Sequence, residues 1–229
     1  MDQQRREILD RFATLRVSDV RDGMDTLLLH AIGTMGPDIR PLWRTRAVGI
    51  AKTVRYLPYD GTVPQLSPEE YWEWVDDYYG AVCPYPWVEE LQEGDFVVID
   101  QSGVNAGLMG SDNTLNCVRK GVRGFVLTGG VRDTDEIIMQ KVPFWTGFVS
   151  QSMVQARLKY DAHDVAVSVG GVLVHPGDVV VADGDGVIVV PRERALDVAR
   201  WADEEHKRDM VRRRKHYDAL GRQPDATVA

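Results

Sequence analysis

Residues 125–136, FVLTGGVRDTDE, run from an apolar stretch through Gly129 and Gly130 into one guanidinium and three carboxylates: Arg132, Asp133, Asp135 and Glu136. An arginine fork holds a carboxylate bidentately, and an adjacent aspartate binds a hard divalent cation that keeps most of its water. Side by side, Arg132 and Asp133 are suited to gripping a 2-oxo acid by its oxygens. The competing reading is a structural Arg–Asp salt bridge at a loop, which for a pair standing alone carries the greater weight. Asp135 and Glu136 have a structural account of their own, as acids welcome in the first turn of a helix EIIMQKV.

Upstream, Gly103, Gly107 and Gly110 match neither G-x-G-x-x-G nor a P-loop, because Lys120 lies far beyond Gly110. They leave a helix start, with Ser111 or Asp112 as cap and a helix through about Gly121. The amides behind Gly110 would favour a small anion such as a carboxylate. Other chemistries find no foothold. His30, His163, His175, His206 and His216 show no H-x-H or H-E-x-x-H spacing and read as ordinary surface or core residues. No G-x-S-x-G elbow is present, and no lysine stands out for a Schiff base.

These residues are positioned by a β-α-β unit: strand FVVID (96–100), the helix after Gly110, then strand GFVLT (124–128). The strands should be parallel with a right-handed crossover, so that both glycine-rich loops leave one sheet edge. Ligands bind beyond the carboxyl ends of such strands. Around the unit, helices are expected over about 4–30, with Ile8, Leu9, Phe12 and Leu15 at helical spacing and Ser18-Asp19 capping the second. AVGIAKTVRYLP (47–58) reads as a strand. A helix over about 67–80 opens on Ser67-Pro68 and carries Tyr71, Trp72, Trp74, Tyr78 and Tyr79, read as a packing surface, on the core or between subunits, in preference to an aromatic substrate lid. EGDFVVID (93–100) and PGDVVVAD (176–183) repeat one turn-to-strand device, and Gly184-Asp185-Gly186 makes a hairpin turn. A long charged helix over about 192–220 buries Ala195, Val198, Ala199 and Ala202 and ends at Gly221.

With 229 residues, 44% of them hydrophobic, the chain is expected to form a single domain over 1–229 with a sizeable core. A net charge of −8 argues against nucleic acid and acidic membranes as partners, and the run Arg212–Lys215 reads as a solvated helix face among acids. Two cysteines, Cys83 and Cys117, form no disulfide framework, and no apolar run approaches the roughly 20 residues of a membrane helix. A soluble, cytoplasmic protein is expected.

In VSDVRDGM, VGIAKTV, Gly110, GFVLTGGVRDTDE and GGVLVHPGDVVVADGDGVIVVP, in that order and over most of its length, the chain resembles the RraA-like family. That family includes the regulator of ribonuclease E activity and class II 4-hydroxy-4-methyl-2-oxoglutarate aldolases. The resemblance implies an α/β fold, a swivelling β/β/α domain, assembled as a homotrimer or homohexamer with active sites between subunits. In the aldolases the arginine matching Arg132 holds substrate, and the aspartate matching Asp133 anchors Mg2+ or Mn2+. The glycine matching Gly110 opens the loop whose amides, here of Ser111 and Asp112, bind the pyruvate carboxylate. A further acid comes from the late helix of a neighbouring chain: Asp209 here, with Glu205 the other candidate. The aldolases place an acid directly after the loop glycine, whereas this chain reads Gly110-Ser111-Asp112-Asn113, with Asp112 the candidate replacement. The implied function is a metal-dependent lyase that cleaves a small 4-hydroxy-2-oxo acid to pyruvate, with oxaloacetate decarboxylation as a second activity. Retention of Arg132, Asp133 and Glu136 favours this over a non-catalytic protein binding a ribonuclease or other partner. A quinone methyltransferase, a name sometimes attached to the family, finds no nucleoside-binding pattern here.

Overall fold

The computed structural model describes residues 2–228. Asp2 caps α1 (Gln3–Phe12), accepting from Arg5 N at 2.7 Å. α2 (Val17–Thr26) is not capped by Ser18. Its N-cap is Arg16, and Asp19 reaches back to accept from Arg16 N at 2.9 Å. A short β1 (Arg40–Pro41) precedes the long β2 (Ala47–Pro58). α3 (Pro68–Ala81) begins as its sequence predicts, with Ser67 and Glu70 capping one another's amides. The central unit follows as β3 (Asp95–Asp100), β4 (Gly107–Met109), α4 (Ser111–Arg119), β5 (Gly124–Val131) and α5 (Thr134–Met139). Then come β6 (Phe144–Val149), β7 (Leu158–His163), the hairpin β8 (Val167–Val169) and β9 (Val172–Val174), the hairpin β10 (Val179–Asp183) and β11 (Gly186–Val190), and α6 (Ala195–Ala219).

β2, β3, β5 and β6 lie side by side and parallel, so the β-α-β expectation holds. They are the centre of a nine-stranded sheet ordered β1-β6-β5-β3-β2-β10-β11, with β4 added to β5 and β7 to β2. β2 serves two partners along one edge: Ala47–Ile50 pair with β10 and Val54–Pro58 with β7, both antiparallel. Side chains alternate between faces, so Val97 and Ile99 join one core with Phe125, Leu127 and Trp87, while Phe96 and Val98 join another with Trp145 and the β8–β9 hairpin. A third core packs α1, α2 and α6 on β2, β10 and β11; it contains Ile8, Leu9, Phe12 and Leu15, and the expected Ala195, Val198, Ala199 and Ala202.

The repeated turn is geometrically real. Gly94 and Gly177 sit at φ of +88° and +91°, and the following aspartates, Asp95 and Asp178, each accept from the amide three residues back, at 2.7 and 2.8 Å. Two expectations change. Gly129 and Gly130 lie inside β5 rather than in a loop after it: a Cβ on Gly129 would stand 2.0 Å from the Gln101 side chain, which is fully buried beneath it. The late hairpin turns on Gly184-Asp185 alone, because Gly186 already pairs with Asp183.

Candidate active site

β3 stops pairing with β5 at Ile99, opposite Leu127. The chain loops out, and β4 then takes β3's place beside the end of β5, Met109 opposite Val131, with Arg132 N donating to Met109 O at 3.0 Å. Two chain ends therefore emerge together: Met109-Gly110 into α4, and Val131-Arg132-Asp133 into α5. Between them opens a cavity of about 330 Å³, lined by Gly107, Gly110, Asp112, Asn113, Arg132 and Asp133 among others.

The first helix start differs from expectation. Gly110 itself is the N-cap and Ser111 the first helical residue, because Gly110 is extended (φ −136°, ψ −173°) and its carbonyl accepts from Thr114 N at 3.1 Å. Its conformation suits any residue, but its surroundings do not. A Cβ there would lie 2.4 Å from Asp133 Oδ2. Gly107 is constrained in the same way, its Cβ position lying 2.8 Å from Arg132 Cβ. The glycines are what let the Arg132-Asp133 corner approach the start of α4.

Asp133 caps α5 from the left-handed region (φ 54°, ψ 41°), a conformation that Asp and Asn tolerate better than other side chains. Its Oδ2 accepts from Ser111 N at 3.2 Å and its Oδ1 from Arg132 Nε at 3.1 Å. The expected salt bridge is thus present. Its side chains are 35% and 34% exposed, and pairs so open to water contribute only about 0–1 kcal/mol. Stability alone is a weak reason to hold an aspartate left-handed beneath a glycine. Among the described residues, no side-chain acceptor engages Arg132's terminal nitrogens, which leaves the fork open to a ligand.

Asp112 is exposed at the cavity rim. Beyond Ser111, the amides of Asp112 and Asn113 have no intrahelical acceptor, as at any helix start. Beneath β4, the Tyr85 hydroxyl donates to Leu108 O at 2.8 Å, and burial pushes its pKa well up. Asp135 and Glu136 occupy the first turn of α5, exposed and outside the cavity lining. Glu205 and Asp209 are not brought to the cavity within one chain. On α6, Glu205 pairs with Arg208 and Arg212, and Asp209 with Arg16, Arg212 and Arg213. The basic run is accordingly a face of helical ion pairs.

Leu108 and Met153, which no motif singled out, also line the cavity, together with Trp72 and Tyr79, for which packing was preferred to a lid. The signal for the two aromatics was their seven-residue spacing, which puts both on one face of α3. The histidine reading also needs an addition. His163, Glu90 and Asp164 cluster as potential metal ligands. Lys52 Nζ already donates to Glu90 at 2.9 Å and to Asp164 at 2.7 Å, so an ammonium holds that place.

Asp133 and Asp112 bring carboxylate oxygens to the cavity lining, donors that suit a hard cation such as Mg2+ or Mn2+ retaining water. Gly110's lack of a Cβ is what lets Asp133 Oδ2 lie against the start of α4.

Comparison with known proteins shows the family. The RraA-like family model, Aldolase/RraA, matches residues 14–189. A protein of Halalkalibacterium halodurans named "Putative 4-hydroxy-4-methyl-2-oxoglutarate aldolase" is 26% identical over 93% of this chain and 90% of its own length. Protein DlpA of Legionella pneumophila is 24% identical over 83% of this chain, which spans 28% of that longer protein. Among solved structures, Streptomyces coelicolor RraAS2, described as an unusual member of the RNase ES inhibitor RraA protein family, has a TM-score of 0.72 at 25% identity, covering 93% of this chain and 97% of that one. Motifs, sheet order and the match over residues 14–189 establish that this chain belongs to the RraA-like family.

Proposed function

We propose that the protein is a divalent-metal-dependent carbon–carbon lyase that cleaves a 4-hydroxy-2-oxo acid to pyruvate. The observation that carries the reading is the convergence of Arg132, Asp133 and the start of α4 on one cavity, with Gly110 pared back to make the approach possible. Relatives named as aldolases support it. Asp133, with Asp112 beside it, would hold Mg2+ or Mn2+, which supplies Lewis acidity towards the 2-oxo oxygen. Arg132's open fork binds the substrate carboxylate, and the amides of Asp112 and Asn113 add donors to the same group. Fixing that end aligns the C3–C4 bond for cleavage, which converts binding into rate. The 4-hydroxyl proton leaves through water to a carboxylate: Asp112 within the chain, or Asp209 or Glu205 of an adjoining subunit. Oxaloacetate loses carbon dioxide through the same enolate, so decarboxylation accompanies the main activity.

The test is pyruvate release from 4-hydroxy-4-methyl-2-oxoglutarate, 4-hydroxy-2-oxopentanoate and oxaloacetate by wild type and Arg132→Ala. Loss of the fork should lower kcat/KM by roughly 100-fold or more; unchanged turnover would remove Arg132 from the mechanism. The likeness to RraAS2 favours a second reading, a protein that binds a ribonuclease. Ribonuclease binding unaffected by EDTA, with no turnover of any 2-oxo acid, would select it.

A further inference from the structure

Two aromatic side chains that this mechanism does not use stand over the same cavity. α3 is anchored in the core by Val75 and Tyr78, 3% and 2% exposed, and the Tyr78 hydroxyl donates to Leu158 O at 2.7 Å. That anchorage turns Trp72 and Tyr79, two helical turns apart, towards the cavity that holds Arg132 and Asp133. Tyr79 is backed by Tyr85, their ring centroids 6.3 Å apart. Trp72 is 62% exposed, unusual for the side chain with the most apolar surface to lose from water. Leu108 and Met153 extend this wall. The cavity therefore joins charged side chains to an aromatic and apolar wall. At about 30 Å³ per water-sized group, the six heavy atoms of pyruvate fill roughly half of its 330 Å³.

The chemistry around the remaining volume is specific. Among the described residues lining the cavity, Arg132 is the one cation, so a second carboxylate on the substrate has no partner there. α3 also carries Glu69, Glu70, Glu73, Asp76 and Asp77, which repel one. A neutral, flat, apolar group meets none of these objections and stacks on indole and phenol rings.

We propose that the site prefers a 2-oxo acid whose C4 bears an aryl group, with Trp72 and Tyr79 as the residues that determine this specificity. The cleavage half of the proposal rests on the lyase reading above; the binding half does not. For 4-hydroxy-2-oxo-4-phenylbutanoate, the C3–C4 bond breaks and its electron pair passes into the enolate of pyruvate. The 4-hydroxyl loses its proton as C4 becomes the aldehyde carbon, and C3 takes up one proton. Pyruvate and benzaldehyde result, with no oxidant or second substrate.

The test has a binding arm and a kinetic arm. Calorimetry compares 2-oxo-4-phenylbutanoate, which lacks the 4-hydroxyl and cannot be cleaved, with 2-oxobutanoate and 2-oxoglutarate. The phenyl acid should bind at least roughly tenfold more tightly than either. Trp72→Ala should shrink that preference to about threefold or less, and Trp72→Phe should restore it, as stacking requires and a folding defect does not. Equal binding of the three acids, tighter binding of 2-oxoglutarate, no binding at all, or a preference that survives Trp72→Ala would each overturn the proposal. In the kinetic arm, kcat/KM for 4-hydroxy-2-oxo-4-phenylbutanoate is set against that for 4-hydroxy-2-oxopentanoate. Preferential binding without cleavage of either would sink the lyase reading and leave the aryl assignment standing. Cleavage of both without preference would do the reverse.

Discussion

Gly110 has no room for a side chain, and what occupies that room is the carboxylate of Asp133. Gly110→Ala should therefore displace Asp133 without unfolding the chain, since the contact is with a side chain and the backbone is extended. Magnesium affinity and kcat/KM should each fall by roughly tenfold or more, with a melting shift corresponding to less than about 2 kcal/mol. Isothermal titration and thermal unfolding would measure both; intact metal binding would show that Asp133 tolerates the methyl group. Burial pushes the Cys83 and Cys117 thiols up to about 12, so iodoacetamide at pH 8 should leave the native protein unlabelled and modify it in urea. Labelling before unfolding would contradict the closed packing around α3 and α4. At this scale the sequence was partly legible. Arg132 and Asp133 stood out by type, although a lone pair of that kind is more often a structural salt bridge, and that bridge is present. The left-handed backbone of Asp133 and the missing clearance at Gly110 were not legible, since both depend on β4 and β5 meeting, and no local rule encodes that.

Elements read well where their signals are local. Ser67 and Glu70 cap α3 as the pattern requires, and the two Gly-Asp turns share one geometry because each needs the same left-handed glycine and the same aspartate reach-back. The caps of α2 and α4 were misplaced because Arg16 and Gly110 hold the N-cap conformation while Ser18 and Ser111 are already helical. The aromatic run in α3 was read as packing, which holds for Tyr78; Trp72 stands exposed at the cavity within one chain. Periodicity defines a face but not what lies opposite it. The crossing of α2 and α6 hinges on Gly23, where a Cβ would sit 2.8 Å from Val198 O and Ala202 N. Both are backbone atoms and cannot turn aside. Gly23→Ala should accordingly cost about 1–3 kcal/mol in urea unfolding, while a neutral effect would mean that the helices separate easily.

For the molecule as a whole, the parallel pairing of β3 and β5 was foreseeable from the β-α-β pattern, whereas β2 was read as a strand without a partner and β6 was not read at all; the candidate site lies beyond the carboxyl ends of β4 and β5. The insertion of β4 in β3's place was not foreseeable, because a three-residue strand has too little pattern to detect. Among the described residues no helix is long and apolar enough to cross a membrane. Acid stability depends on the junction of α1, α2 and α6. Burial would raise the Asp19 carboxyl, but Arg16's hydrogen bonds and charge, with His206 nearby, hold it below the usual carboxylate range. A lowered folded-state value gives stability that is present above about pH 4 and lost as pH falls through that value. Asp19→Asn should cost about 1–2 kcal/mol at pH 7, a gap to wild type that narrows as pH falls below about 4; a penalty independent of pH would contradict this.

The central claim is that Asp133 holds a metal that drives carbon–carbon cleavage. Its most direct test is pyruvate release from the three 2-oxo acids above by wild type and Asp133→Asn, in magnesium and in EDTA. Asparagine keeps the shape and tolerates the left-handed backbone, so the variant removes charge without removing the corner. Release that requires magnesium and is lost in Asp133→Asn is the predicted result. Release that persists in EDTA or in the variant, or its absence from wild type with every substrate, would contradict the account.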